Sequence, residues 1–174
     1  MSLNFSFFGE PLISKDGKAV QLPFKKAEAL LFFLAAEGCV QKEKIAFLLW
    51  GDKNEKQAAG SLRNALCLLR KHFPENIISN KKEIRLADFT RDSDVVDKIA
   101  SRAVPLPESI FSEPLSGLDM LDRPEFAEWI GETRAKLRAK RAILRAARAR
   151  LRPRLCRASW RTAPNATRPS ARYS

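Results

Sequence analysis

Residues 54–86, NEKQAAGSLRNALCLLRKHFPENIISNKKEIRL, decide the fold. The first part predicts an amphipathic helix, because at 100° per residue its apolar side chains fall on one face. That face consists of Ala58, Leu62, Ala65, Leu66, Leu69 and Phe73. Residues 77–86 then predict a hairpin with a basic tip, in which Ile84 and Leu86 point inward.

Two shorter helices precede this stretch. The first is predicted by apolar side chains at i, i+3, i+4 and i+7, and it ends at Gly38. Those positions are Ala27, Leu30, Leu31 and Leu34. The second contains Ile45, Leu48 and Leu49 and ends at Trp50, and a turn links it to the long helix.

An antiparallel sheet is predicted at the N-terminus. Residues 3–7 alternate between apolar and polar side chains, which is typical of a half-buried strand. Residues 12–22 predict a hairpin, because Asp16 and Gly17 tolerate the positive φ that its turn needs. Pro23 ends the second strand, since it has no N–H to donate.

This order of elements predicts an α+β fold, the winged helix-turn-helix. An α-helix fits the major groove of B-DNA, and a hairpin tip can reach the neighbouring phosphates. The pattern therefore favours a protein that binds double-stranded DNA.

Composition excludes several other classes. The apolar fraction of 45% is ordinary for a globular protein. No stretch approaches the roughly 18 unbroken apolar residues that cross a bilayer, and no secretory signal is visible, so we expect a soluble cytoplasmic protein without membrane contact.

The chemistry-bearing residues point away from an enzyme. Cys39, Cys67 and Cys156 form no CxxC pair and have only His72 beside them, so we expect no metal site. We interpret the first two cysteines as small apolar residues in helical surroundings. There is no phosphate-binding glycine loop and no supported pair of catalytic carboxylates, so we expect no cofactor and no catalysis.

The net charge of +12 is unevenly distributed. Residues 1–97 hold 15 basic and 13 acidic side chains, and residues 98–138 hold 6 and 7. Residues 139–174 hold 11 basic side chains and no acidic ones. Because nearly all the excess lies at the C-terminus, total charge cannot support DNA binding by the first domain, and the pattern of residues has to support it.

Four segments resemble a known family of bacterial transcriptional activators. They are GEPLISKDGKAVQLPFKKAEALLFFLA, IAFLLWGD, SLRNALCLLRKHF and IISNKKEIRLA. Together they resemble the antibiotic-regulatory-protein type, which has a winged helix of the OmpR/PhoB kind. The later stretch SEPLSGLDMLDRPEFAEWIGETRAKLRA resembles the start of the bacterial transcriptional activation domain that usually follows.

This resemblance implies a sequence-specific transcriptional activator in the bacterial cytoplasm, associated with the nucleoid. It further implies that RNA polymerase is a partner, that the second domain is all-α and tetratricopeptide-like, and that this helical segment could form a homodimer. We divide the chain accordingly into a DNA-binding domain (1–91), a partial activation domain (92–152) and a disordered basic tail (153–174).

Candidate DNA-contacting residues lie on the long helix, the wing and the second helix. For base contacts we choose Gln57, Ser61, Asn64 and Leu68, with Asn64 first because an amide pairs bidentately with adenine. For backbone contacts we choose Lys42, Lys44, Arg63, Lys71, Lys81, Lys82 and Arg85. The alternative is that these residues are the solvated faces of a helix and a hairpin, and that Arg63 and Arg70 form intramolecular ion pairs.

The C-terminal segments leave further alternatives open. From Pro124 we expect a helix with an apolar side that seeks a partner only partly present in the chain, and we expect Pro153 to end it. The tail is either a basic arm for nonspecific DNA binding or the product of a shifted reading frame. For the whole chain, the alternative function is a winged-helix protein-interaction module, and an RNA-binding role comes third.

Overall fold

The computed structural model describes residues 2–94, 108–119 and 123–158, with side chains up to residue 146 in the last range. Strands β1 (Leu3–Ser6), β2 (Leu12–Lys15) and β3 (Lys18–Ala19) come first. Helix α1 (Lys25–Glu37), strand β4 (Cys39–Gln41), and helices α2 (Lys42–Trp50) and α3 (Glu55–His72) follow. Strands β5 (Ile77–Ser79), β6 (Glu83–Leu86) and β7 (Phe89–Arg91) lead to a 3-10 helix (Glu108–Phe111) and helix α4 (Pro124–Ala158).

The N-terminal sheet has four strands in the order β3-β2-β1-β7. The predicted hairpin is present, and its two turn residues, Asp16 and Gly17, have φ of 50° and 80°, as a type I′ turn requires. Its second strand ends at Ala19, however, and not at Pro23. The prediction of an antiparallel sheet was wrong in one respect, because β7 pairs with β1 in parallel. Asp92, directly after β7, holds this edge: its carboxylate accepts hydrogen bonds from the backbone N–H groups of Phe7 (2.9 Å) and Phe8 (3.1 Å).

The second sheet forms the wing. Its order is β4-β6-β5, with both pairings antiparallel. The predicted hairpin is confirmed as β5 and β6, while β4 is an additional strand between the first two helices. Ile84 and Leu86 are buried, and Arg85 points to solvent, as the alternation predicts.

One hydrophobic core joins all these elements. Helix α1 lies at its centre and buries eight residues, which are Ala27, Ala29, Leu30, Leu31, Phe32, Phe33, Leu34 and Ala35. The rings of Phe5 and Phe7 pack edge-on against Phe32 at centroid distances of 5.4 and 5.2 Å. These contacts fix the sheet to one side of α1, while α2 and α3 pack against it elsewhere.

Helix α4 is part of the same core. Its predicted apolar side is buried, and Trp129 packs on Phe33 at 5.0 Å and donates a hydrogen bond from Nε1 to Glu37 (3.0 Å). The expectation of a partner only partly present in the chain was therefore wrong, because described elements, α1 and α2 among them, cover this side. The tetratricopeptide-like arrangement and the domain boundary at residue 91 stay predictions.

Helix α4 also runs further than we predicted. It passes Pro153 and ends at Ala158, so the first six residues of the tail predicted to be disordered are helical. A proline inside a helix costs about 3 kcal/mol, and the Ala, Leu and Arg residues around it are good helix formers that favour continuation. Residues 159–174 lie outside the described part. No helix among the described residues is long and apolar enough to cross a membrane.

Candidate nucleic-acid interface

Helix α3 is built to present one long outer face. The side chain of Asn54 caps its N-terminus by accepting a hydrogen bond from the N–H of Gln57 (2.9 Å). Glu55 lies in the first turn, and the last turn is basic, which suits the helix dipole at both ends. Ala58, Leu62, Leu66 and Leu69 are buried against the core. The opposite side of all 18 residues, about 27 Å of helix, is left to solvent.

The wing is fixed relative to α3 by polar contacts. Asn80 shapes the turn, because its Oδ1 accepts hydrogen bonds from the N–H groups of Lys82 (2.8 Å) and Glu83 (2.6 Å). Lys42, the first residue of α2, donates its N–H to the carbonyl of Lys82 (2.8 Å) and its Nζ to the carbonyl of Asn80. The guanidinium of Arg70 on α3 donates to the hydroxyl of Ser79 on β5. The wing tip therefore stays beside the C-terminal half of α3.

An open groove of about 1050 Å³ lies between α2, α3 and the wing. Six basic and two acidic side chains line it, although residues 1–97 as a whole are nearly neutral. The basic ones are Lys42, Lys53, Arg63, Arg70, Lys71 and Lys81, and the acidic ones are Glu43 and Glu55. The fold thus brings together basic side chains that lie far apart in the sequence. The low-dielectric walls of a groove strengthen the positive electrostatic potential inside it.

Several of these cations are unpaired within the part of the chain that the structure describes. The side chains of Arg63, Lys71 and Lys81 are exposed, and they make no hydrogen bond or ion pair with the described residues. Most other arginines with described side chains are bonded to carboxylates, carbonyls or a hydroxyl, or lie over an aromatic ring. The predicted alternative of an intramolecular ion pair is therefore found for neither arginine among the described residues: Arg70 donates a hydrogen bond to the Ser79 hydroxyl instead, and the Arg63 side chain has no partner there.

A straight row of side chains runs along the groove side of α3. Ala59, Arg63, Cys67 and Lys71 follow one another at intervals of four residues, so they stack along one ridge of the helix. All four line the groove and all four are exposed. Sequence reasoning missed Ala59 and Cys67, because nothing in the periodicity says on which side of the helix the wing will lie.

The predicted base-contacting residues do not line the basic groove. Ser61 and Asn64 line a smaller groove of about 460 Å³ beside the start of α1. Gln57 is exposed and by helical spacing shares their side, and Leu68 is half-buried against the core. The structure therefore separates these four residues from the basic groove.

The predicted backbone-contacting residues are divided. Four of them, Lys42, Arg63, Lys71 and Lys81, line the groove. Lys44 is exposed on α2 and Lys82 on the wing turn, and Arg85 is exposed on β6, where Ile78 and Cys39 are its partners in register. These three do not line either groove. Lys53, which sequence reasoning did not select, lines the basic groove and donates a hydrogen bond to Ser61 Oγ (3.0 Å).

The two cysteines in this region differ from the prediction, although Cys67 lies in a helix as expected. Cys39 lies in a strand rather than a helix, and both Cys39 and Cys67 are exposed free thiols. Partial desolvation and the neighbouring Glu83 carboxylate raise the pKa of the Cys39 thiol, which disfavours the thiolate. Within the described ranges, no group of three or more His, Cys, Asp or Glu side chains could hold a metal ion.

Three helices, the last one exposed, followed by a β-hairpin beside it, define the domain's architecture. The fold is a winged helix. The comparisons with known proteins agree: this chain is similar in structure to "Mycobacterium tuberculosis EmbR in complex with low affinity phosphopeptide", with a TM-score of 0.65 and 16% sequence identity. The match covers 91% of this chain and 47% of that chain, so this chain spans about half the length of EmbR. No protein-family model matches the chain, and no curated protein matches its sequence.

Proposed function

We propose that this chain is a sequence-specific DNA-binding transcriptional regulator. Helix α3 enters the major groove, and the wing lies over the adjacent sugar-phosphate backbone. The observation that carries the proposal is the basic groove, which the unpaired side chains of Arg63 and Lys71 on the exposed helix and of Lys81 on the wing line together. By the resemblance to activators of the antibiotic-regulatory-protein type, we further propose that it activates transcription through RNA polymerase.

The row on α3 supports particular base contacts. Arg63 presents a free guanidinium near the middle of the helix, which suits bidentate binding to O6 and N7 of guanine. Ala59 and Cys67, one turn before and after it, are small and only weakly polar, which suits contact with thymine methyl groups. Lys71 and Lys81 extend the positive charge toward the wing, where phosphates would lie.

This assignment competes with the one that the sequence favours. Asn64 lines the smaller groove instead of the basic one, and its amide suits adenine rather than guanine. We favour Arg63 for base contact because it lines the basic groove and Asn64 does not. The two assignments therefore predict different losses on substitution.

The experiment selects duplexes from a random DNA pool with the whole chain, because α4 belongs to the core of the winged helix. Excess unselected duplex competes for the basic C-terminal segment. Winning sequences are then titrated by fluorescence anisotropy against the wild type, Arg63→Ala and Asn64→Ala. Lys18→Ala is the matched control, because it removes an exposed cation on β3 that is not a candidate contact.

We expect selected duplexes to bind about a thousandfold more tightly than random ones. Arg63→Ala should weaken specific binding by about 1–3 kcal/mol and relax the preference at one guanine, whereas Lys18→Ala should change it little. A larger loss with Asn64→Ala would favour the sequence-based assignment. If no motif is enriched and binding is weak and salt-sensitive, the proposal fails, and a protein-interaction module becomes the better account.

A further inference from the structure

Arg123 connects helix α4 to the turn between α2 and α3. It directly precedes α4, and its side chain is 14% exposed. Nη2 forms an ion pair with Glu125 Oε2 (2.9 Å) and donates a long hydrogen bond to the carbonyl of Phe47 (3.5 Å). That carbonyl belongs to the last turn of α2, where the helix dipole favours a cation. The guanidinium therefore lies at the C-terminal end of α2.

Gly51 makes room for this guanidinium. Its φ of −66° is open to every residue type, so backbone conformation does not require glycine there. The small space around position 51 does require glycine, because a Cβ there would lie 2.5 Å from Arg123 Nη2 and 2.6 Å from the Phe47 carbonyl oxygen. The first residue of the α2–α3 turn is thus fitted against a side chain from the C-terminal part of the chain.

The start of α4, next to Arg123, is anchored to α1. Four residues after it in α4, Ala127 donates its N–H to the Arg123 carbonyl (2.9 Å). Phe126 and Trp129 are buried, and Trp129 contacts Phe33 and Glu37 of α1. The contact at the turn therefore joins two parts of the molecule that are each anchored to α1.

We propose that Arg123 is a positioning residue for the nucleic-acid interface. By bracing the α2–α3 turn, it sets the orientation of the N-terminal half of α3, and it makes that orientation depend on the docking of α4. This inference rests on the proposed function. Arg123 does not act as a phosphate clamp, because Glu125 pairs with its guanidinium and the side chain is mostly buried.

The experiment combines hydrogen exchange with DNA titration in Arg123→Ala. Arg138→Ala is the matched control, since it removes another ion-paired arginine of α4 that binds Glu113 away from the turn. The amides to follow are Lys53, bonded to the Trp50 carbonyl (3.0 Å), and Ala58, bonded to the Asn54 carbonyl (2.9 Å). Gly51→Ala is a second variant that disturbs the same contact from the opposite side.

We expect Arg123→Ala and Gly51→Ala to accelerate exchange at these two amides by roughly fivefold or more. Affinity for the selected duplex should fall by roughly 3- to 30-fold, while the slope of log K against log salt stays unchanged, because no phosphate contact is lost. Arg138→Ala should change neither quantity. Unchanged exchange in Arg123→Ala would overturn the proposal.

A fall in the salt slope by about 0.9 would also overturn it, since that result means a direct phosphate contact. The failure of the proposed function looks different. If the proposed function is wrong, the wild type selects no DNA sequence, and Arg123 then has no DNA interface to position. The exchange rates of Lys53 and Ala58 still show whether Arg123 braces the α2–α3 turn.

Discussion

At the scale of single residues, charged side chains hold backbone groups that the secondary structure leaves unpaired. Arg91 donates hydrogen bonds to the carbonyls of Ala35 (2.9 Å) and Ala36 (3.5 Å) at the end of α1. Asp92 accepts from two N–H groups just beyond β1 and from the hydroxyl of Ser6 (2.9 Å). Such contacts join the sheet to the central helix by means other than apolar packing.

Asp92 gives the first test at this scale. Asp92→Ala should lower the free energy of unfolding by about 1–3 kcal/mol, because it leaves two partly buried N–H groups without an acceptor. Urea denaturation followed by circular dichroism measures the change. Asp94→Ala is the control, since it removes only a half-exposed ion pair with Arg91, for which about 0–1 kcal/mol is expected. Equal losses in the two variants would contradict this account.

The side chains of α3 that face the groove were the part of the candidate site that the sequence predicted least well. Periodicity correctly placed Leu62, Leu66 and Leu69 in the core, because burial follows directly from helical spacing. The choice of Asn64 over Arg63 for base contacts depended on which side of α3 the wing occupies. That side is set by the pairing of β4 with β6 and by Arg70, which are long-range contacts.

At the scale of elements, α4 fastens the segment before it through arginine. The Arg134 guanidinium donates to both carboxylate oxygens of Asp119 (2.7 Å each) and to the carbonyls of Pro114 (2.8 Å) and Leu115 (3.0 Å). Its hydrogen bonds hold the pKa of the Asp119 carboxyl below its ordinary value. The segment in turn contacts the N-terminal sheet, where Leu115 donates its N–H to the Phe7 carbonyl (2.9 Å).

This pair predicts a pH dependence with a definite sign. A carboxyl whose pKa is lower in the folded state stabilises the fold above its unfolded pKa, about 3.9, and that contribution is lost as pH falls through the folded value. Because Asp119 is largely exposed, Asp119→Asn should cost about 0.5–1 kcal/mol at pH 7. Urea midpoints of the wild type and the variant should converge as the pH is lowered below 4. A difference that does not narrow as the pH falls below 4 would contradict this assignment.

Element boundaries show where sequence information was sufficient. The three helices of the winged helix begin and end within a few residues of the predicted positions, since Gly38 and Asn54 mark ends that local chemistry determines. Strands β4 and β7 were missed. Each has three residues, too few to show an alternation, and each exists only because a distant strand pairs with it.

At the scale of the whole molecule, the segments on either side of residue 91 share one core. Phe126, Trp129, Ile130 and Leu137 of α4 belong to the same buried cluster as the residues of α1. Sequence analysis could not foresee this, because an amphipathic helix shows that it has a buried side but not what covers it. The same contacts place Arg123 at the turn that precedes α3.

Trp129 tests the shared core. Trp129→Ala should lower the free energy of unfolding by about 3–5 kcal/mol, because it opens a cavity against Phe33 and removes the hydrogen bond to Glu37. The measurement is a urea titration of the whole chain followed by circular dichroism. Ile143→Ala on the exposed side of α4 is the control, with a change within about 0.5 kcal/mol. A small effect of Trp129→Ala would mean that α4 contributes little to the core.

The parallel pairing of β1 with β7 has a consequence for synthesis on the ribosome. Leu3 pairs with Phe89, 86 positions later in the chain. At about 5–20 residues per second, roughly 4–17 s separate the translation of the two strands. During that interval one edge of β1 is free, and until α1 has been made Phe5 and Phe7 also lack the helix that will cover them. The nascent chain therefore exposes an unpaired strand edge and apolar side chains that the folded protein covers. These features favour aggregation between strands and binding by chaperones.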